Sequence, residues 1–249
     1  MSKKLRLDKF LCESGVAGSR SQAKRFILKG YVLVNGKVIR DPAFKVSDED
    51  EVIFESEILK RAPDKVYILL NKPEGYVSST SDPQNPTVIN LLYGANKIED
   101  LFPVGRLDKD ATGLLLLTND GELAHKLTHP KYKVEKEYLV EVKGELKDED
   151  INKALNGIKY FDKKKKKEGI YKPKSIEVIE KKDGKTLLKI VLTEGKYHEI
   201  KNIFKNLGYD VLSIKRVRFG PIKLQNLPVG KWRYLSNEEV ESLKKEVKK

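Results

Sequence analysis

Three side chains far apart in the chain have the types from which a covalent or acid–base site is built: Asp108, Tyr138 and Lys201. Asp108 lies in "GRLDKDATGLLLLT", after an apolar stretch at 101–104 and before the leucines at 114–117. A carboxylate on a loop between two buried strands is where a rigid scaffold places reactive groups. Aspartate in a loop also closes turns through its own backbone, so this stretch alone leaves both readings open. Tyr138 falls in the strand pattern "KEYLVEV", with a ring able to stack on a nucleic-acid base. Lys201 sits near the start of a helical pattern whose apolar face is Ile200, Ile203, Phe204 and Leu207. It is either solvated or turned in to pair with a carboxylate, which would hold that carboxylate ionised. A different chemistry pairs Asp108 with Asp110, because two carboxylates at i, i+2 could share Mg²⁺ in a nuclease. No further acidic cluster supports that arrangement.

The tetrapeptide around Asp108 occurs twice, at 6–9 and at 106–109. In the first copy Leu7, Phe10 and Leu11 recur at helical spacing and Gly15 ends the helix. Asp8 belongs in its first turn, where the helix dipole favours a carboxylate. A second helix opens at "SRSQAKRFILKG", with Ser19 and Gln22 at the spacing of a capping box and Gly30 as its stop. Ala23, Phe26 and Ile27 face inward on it, and Arg20, Lys24 and Arg25 face out. Asn35-Gly36 between two β-rich runs predicts a hairpin, and "DEVIFE" predicts a last strand. Residues 1–55 thus form a small basic α/β unit. A charged stretch at 56–64, containing Pro63, reads as a linker.

A larger unit follows at 65–249. A β pattern runs over 66–80, interrupted by the turn "NKPEG", and further strands are expected near 102–104, 113–118, 136–142, 175–179, 186–192 and 211–217, with helices near 122–127, 148–157 and 198–207 and a helical tail at the end. Strands outnumber helices and do not alternate strictly with them, which predicts an α+β fold on a mostly antiparallel sheet and excludes a Rossmann fold.

Lysine and arginine number 50 against 37 acidic residues, and the net charge of +13 makes a polyanion the natural partner. The run at 162–169 reads as a solvated, self-repelling loop tip. No apolar run approaches the roughly 20 residues that span a bilayer, so no membrane association is expected. The N-terminus lacks a secretory pattern, and the single Cys12 cannot form an internal disulfide. A cytoplasmic location is the expectation. One cysteine and three histidines leave no zinc site of the usual spacing, so no metal is expected. Nothing resembles an exposed dimer seam, and a monomer is expected.

The order "RLDKFL", "SRSQAKRFI", "VNG" over the first unit resembles the S4 (αL-type) RNA-binding domain. In the second unit "LLNKPEGYVSST", "GRLD" with "TGLLLLTNDG", "KEY" and "EGKYHEIK" stand in the order of four motifs of the pseudouridine synthases. The resemblance covers nearly the whole chain and is to the branch with an N-terminal S4 domain. The sequence departs from that pattern at Glu199 and Asn202, where Gln and a basic residue are expected. Within the branch, "SSTSDPQNPTVINLL" and "NLPVGKWRYLSNEEV" look most like enzymes that act on uridine 516 of 16S ribosomal RNA, with 23S ribosomal RNA as the alternative target.

The resemblance implies an isomerase that cuts the N-glycosidic bond of a uridine, turns the base and rejoins it through carbon. It implies that Asp108 attacks the ribose or removes a proton from it. Lys201 pairs with Asp108, and Tyr138 stacks on the uracil and helps take the C5 proton. Arg106 fills the space of the flipped base or binds its phosphate. Arg6, Lys9, Arg20, Lys24, Arg25 and Lys72 are expected RNA contacts. No cofactor is expected, and the partner is ribosomal RNA within a small-subunit assembly intermediate. A non-catalytic S4 RNA-binding protein is the reading from another class, and it has no use for the Asp108, Tyr138 and Lys201 trio.

Overall fold

The computed structural model describes residues 4–47, 49–59, 65–95, 98–162 and 167–248. The chain divides into two compact units, Met1–Asp64 and Lys65–Lys249.

In the first unit β1 (Leu5–Arg6) leads directly into α1 (Leu7–Glu13), and α2 (Arg20–Leu28) follows. Leu7, Phe10, Leu11, Ala23 and Ile27 interlock in one buried cluster, as their helical spacing requires. Phe26 is only partly buried and packs on the edge of that cluster. The Ser19 hydroxyl accepts from Gln22 N at 3.2 Å, but the reciprocal bond of a capping box is absent. Gln22 Oε1 instead accepts from Gly18 N at 3.0 Å, one residue earlier. Gly30 stops the helix at φ +80°, and a Cβ there would lie 2.8–3.0 Å from the Arg40 guanidinium. That guanidinium donates to the free Leu28 carbonyl.

β2 (Val32–Val34) and β3 (Lys37–Val38) form the hairpin about Asn35-Gly36. β4 (Lys45–Val46) pairs with β1. β5 (Val52–Phe54) pairs with β2 and with β6 (Glu57–Leu59). The stretch expected to be a linker from residue 56 therefore begins with a strand. A tight turn with Glu55 and Ser56 both at positive φ folds it back on "VIF". Residues 60–64 lie outside the described residues.

The second unit is built on a twisted sheet. Its path uses β7 (Tyr67–Lys72), β9 (Thr112–Thr118), β10 (Lys136–Lys143), β13 (Ser175–Lys182), β14 (Lys185–Leu192), β15 (Val211–Phe219) and β17 (Trp232–Tyr234). They lie in the order β13-β14-β10-β15-β9-β7-β17. β8 (Phe102–Pro103) pairs with β9, and β16 (Ile222–Lys223) pairs with β15. Among these named strands only β9 with β15 is parallel, so the sheet is mostly antiparallel as expected. The leucine run in β9 is buried on both faces. Leu115 and Leu117 enter one core layer, and Leu114 and Leu116 enter the other. Covering helices explain the two layers: Ala154 of α4 (Asp148–Asn156) and Ile203 and Phe204 of α5 (Glu199–Asn206) fill the first. Leu123 and Leu127 of α3 (Gly121–Thr128) and Leu243 of α6 (Asn237–Glu246) fill the second.

Four strands of this unit were not anticipated: β11 (Ile158–Asp162), β12 (Lys167–Tyr171), β16 and β17. β11 and β12 form a hairpin where a loop tip was expected, although the tip itself, 163–166, lies outside the described residues. Tyr160 and Tyr171 stack across that hairpin at 4.0 Å. The short edge strand β17 also carried too little alternation to be read.

Candidate active site

The loop 105–111 carries Asp108, and the segment after β7 holds it in place. Lys72 is fully buried and the three N–H groups of its ammonium are shared among four carbonyls: Pro73 at 3.0 Å, Asp108 at 3.1 Å, Lys109 at 3.3 Å and Ala111 at 2.7 Å. Burial pulls its pKa down to about 8, against the attraction of Asp110 and Asp108. Ser78 Oγ donates to Leu107 O at 2.9 Å and accepts from Leu107 N at 3.1 Å. Gly75 N donates to Lys109 O at 2.8 Å. The expectation that Lys72 contacts RNA is thus corrected. It has no exposed surface to offer a phosphate, and its donors are spent on the loop. The motif "NKPEG" was legible, but burial of its lysine was not.

Asp108 itself is a quarter exposed. His198 Nε2 lies 3.5 Å from Oδ1 and Lys201 Nζ lies 3.7 Å from Oδ2. Lys201 is held more tightly by Asp110, at 2.7 and 2.6 Å. The expected Lys201–Asp108 pair is therefore present as a loose contact, and the close partner is Asp110. Partial burial would push the Asp110 carboxyl up, but the hydrogen bond and charge of Lys201 hold it below the usual range. A lysine also occupies the place where a cation shared by Asp108 and Asp110 would sit. Among the described residues no group of three or more His, Cys, Asp or Glu side chains converges to hold a metal.

Strand register brings up the rest. Gly113 in β9 faces Arg216 in β15, and Arg216 faces Tyr138 in β10. The approach at Gly113 is so close that a Cβ would meet the Arg216 carbonyl oxygen at 2.2 Å, which requires glycine at φ +101°. Tyr138 is buried at 7 % exposure on the same face of β10 as Lys136. A cavity of about 380 Å³ opens there, lined by Arg106, Asp108, Lys136, Tyr138, Lys201 and Arg216 among others. The three residues expected to be catalytic all line this one cavity, and so does exposed Arg106.

Four lining residues were missed. His198 is left-handed at φ 48°, strained for a non-glycine, at the start of α5. It stacks on Tyr197, which is 71 % exposed at the cavity rim. Lys136 is buried with its ammonium on Val134 O at 3.0 Å, and burial and the charge of Arg216 pull its pKa down to about 8. Arg216 is 1 % exposed. Glu199 is buried, which pushes its carboxyl up, and it accepts from Lys196 N at 3.0 Å. The "KEY" pattern contained Lys136, but a basic residue on an inward face is not separable from a surface one by spacing alone. The two departures have structural uses: Glu199 fastens the turn into α5, and Asn202 donates to Tyr171 Oη at 3.0 Å and Tyr197 O at 3.1 Å.

In the first unit Lys9, Lys24 and Arg25 are exposed, as a backbone-gripping surface requires. Arg6 and Arg20 are half-exposed, but both guanidiniums bind buried Asp8, Arg20 at 2.9 and 3.1 Å and Arg6 at 3.1 and 3.2 Å. Asp8 stands in the first turn of α1 as expected, and is there a buried structural anion between two arginines. Burial would push its pKa up, and the hydrogen bonds and charges of Arg6 and Arg20 outweigh that and lower it.

Residues 66–206 match the RNA pseudouridylate synthase family, and residues 5–52 match the S4 domain. An uncharacterized RNA pseudouridine synthase of Aquifex aeolicus (strain VF5) is 43 % identical over 98 % of both chains. The ribosomal small subunit pseudouridine synthase A of Escherichia coli (strain K12) is 36 % identical, covering 96 % of this chain and all of that one. A crystal structure of a pseudouridylate synthase superposes with a TM-score of 0.66 at 34 % identity, covering 96 % of this chain and 99 % of the other. With three of the motifs lining one basic cavity, the fourth fastening its Asp108 loop, and matches along nearly its whole length, the chain belongs to the RNA pseudouridine synthases and carries an S4 domain at its N-terminal end.

Proposed function

We propose that the protein isomerises one uridine of 16S ribosomal RNA, uridine 516, acting as a monomer in the cytoplasm on a small-subunit assembly intermediate. The observation that carries the mechanistic reading is the convergence of Asp108, Tyr138 and Lys201 on one cavity with a basic lining. The choice of RNA is supported by the small-subunit relative at 36 % identity over 96 % of the chain.

In this reading the target uridine leaves its stack, which costs about a few kcal/mol. Phosphate contacts from Lys9, Lys24 and Arg25 on the first unit and from Arg106 on the second offset that cost. Asp108 acts on the ribose as an ionised carboxylate while C1′ is freed from N1. His198 Nε2 and Lys201 Nζ stand 3.5 and 3.7 Å from its carboxylate oxygens, and Asp110 holds Lys201 at 2.6 Å. Tyr138 stacks against the ring while it turns and helps accept the C5 proton once C5 is joined to C1′. Lys72 keeps the loop in register without touching RNA.

Incubation of the protein with unmodified 16S and 23S transcripts and with precursor subunits, followed by mapping of pseudouridine, tests the reading. Modification of a single 16S uridine is expected, and pseudouridine confined to 23S transcripts would move the target to the large subunit.

A further inference from the structure

The cavity floor contains a charged group that the mechanism above does not use. Arg216 is 1 % exposed and has no carboxylate partner among the described residues. Its Nε donates to Leu114 O at 2.7 Å, which fixes the guanidinium plane against β9. Its Nη2 is buried with no hydrogen-bond partner among the described residues. A native fold rarely leaves a charged donor in that condition, and such groups call for a ligand, ion or water. The register places Arg216 directly opposite Tyr138, with Cζ 6.0 Å from the ring centroid. The closeness of Gly113 to the Arg216 backbone locks the strand there. Lys136, the next inward residue before Tyr138 on β10, adds a second buried cation, whose described hydrogen bond is to a carbonyl.

We propose that Arg216 is a base-recognition residue, whose free Nη2 donates to a ring carbonyl oxygen of the target uracil while Tyr138 stacks on that ring. This rests on the assignment of the cavity as the uridine site. The chemistry suits the position. When the C1′–N1 bond breaks, its electron pair leaves with the ring and spreads onto the two carbonyl oxygens. After C5 bonds to C1′ and loses its proton, N1 takes a proton and the ring is neutral again. A fixed cation at a carbonyl oxygen therefore binds the detached ring better than the attached one, and that difference accelerates the chemical step. Lys136 contributes a second positive charge to the same end of the cavity. A guanidinium also offers only donors, so a ring presenting an amino group in that place is rejected.

The test uses a short ribosomal RNA fragment on which the wild-type protein forms pseudouridine, whichever ribosomal RNA that comes from. The fragment is synthesised with uridine, 2-thiouridine or 4-thiouridine at the target, since sulfur is a poor acceptor. Single-turnover rates are measured for the wild type, Arg216→Met and Arg216→Lys, with RNA affinity by filter binding and melting temperature alongside. One of the two thio substitutions is expected to slow the wild type by about tenfold or more. Arg216→Met is expected to slow the uridine fragment by about a hundredfold, with RNA affinity unchanged. The same thio substitution then has no further effect on Arg216→Met, while Arg216→Lys retains part of it. Two results would overturn the proposal: a wild type indifferent to both thio substitutions, or an Arg216→Met protein that keeps the full thio effect. If Arg216→Met does not fold, the wild-type and Arg216→Lys comparison decides between the same outcomes. A wrong choice of ribosomal RNA changes only the fragment used, and a wrong cavity shows separately as full activity in Asp108→Asn.

Discussion

The Lys72 ammonium donates to the Asp108 carbonyl at 3.1 Å, so the end of the first strand of the catalytic unit is fastened to the backbone of the proposed nucleophile. Three more carbonyls of the same neighbourhood share that ammonium. Lys72→Met removes all four bonds at once and releases the loop. A displacement of about 1 Å at a reacting group costs about a hundredfold in rate. Lys72→Met is expected to lose at least that much single-turnover activity with ribosomal RNA affinity little changed. Loss of affinity with the rate preserved would restore Lys72 as an RNA contact.

The two buried lysines give a defined pH dependence. Lys72 and Lys136 both have pKa values of about 8 in the fold, against 10.5 for the free side chain. Between those values the unfolded chain holds protons that the folded one has released, so stability rises with pH across that window. Turnover is expected to fall over the same window as the Lys72 ammonium loses its charge. Urea unfolding at several pH values checks the first expectation. Lys136→Met is expected to show a smaller gain between pH 8 and 10.5 than the wild type.

Asp8 is expected to matter for folding. Its carboxylate is fully buried between Arg6 and Arg20, whose side chains are 44 % and 56 % exposed. Those arginines can return to water when the carboxylate is lost, so the full penalty of a stranded buried charge does not apply. Charge-assisted hydrogen bonds are worth about 1.5–3 kcal/mol each before such relief. Asp8→Asn is expected to destabilise the first unit by about 1–3 kcal/mol in denaturant unfolding. Because the folded pKa is lowered, this contribution is present at neutral pH and lost as pH falls through the folded value. An unchanged unfolding midpoint for the N-terminal unit would contradict it.

Lys201 lies between two carboxylates, 2.6 Å from Asp110 and 3.7 Å from Asp108. Asp110→Asn frees the lysine for Asp108 and is expected to keep activity within about fivefold, an exposed pair being worth at most about 1 kcal/mol. Lys201→Met leaves the proposed nucleophile without its lysine and is expected to cost about a hundredfold. Paired single-turnover assays of the two variants check this. A nuclease using Asp108 and Asp110 requires the opposite order, with Asp110→Asn abolishing Mg²⁺-dependent cleavage.

Much of this was legible because it depends on local pattern. The apolar spacing of α1 and α2, the Asn35-Gly36 turn and the alternation through β10 and β14 all act over a few residues. The loop position of Asp108 followed from the buried strands on either side. The edge strand β17, only Trp232–Tyr234, acquires its conformation from β7, some 160 residues earlier, and leaves little trace in its own residues. The charged residues were read least well. Lys72, Lys136, Arg216 and Asp8 look like surface residues by type, yet each is buried: Lys72 among loop carbonyls, Lys136 on Val134 O, Asp8 between Arg6 and Arg20, and Arg216 with one bond to Leu114 O. The Lys201–Asp108 pair is present at 3.7 Å, but the closer pair with Asp110 was not legible, since the two carboxylates share a loop and only its conformation separates them.

The central claim is that Asp108 performs the chemistry on uridine. Asp108→Asn keeps the size and much of the hydrogen bonding of the side chain and removes its charge. The decisive measurement is the pseudouridine formed by this variant in a ribosomal RNA that the wild type modifies, under single turnover and with RNA binding verified. No pseudouridine above background is expected. Pseudouridine formed at a rate near that of the wild type would contradict the account.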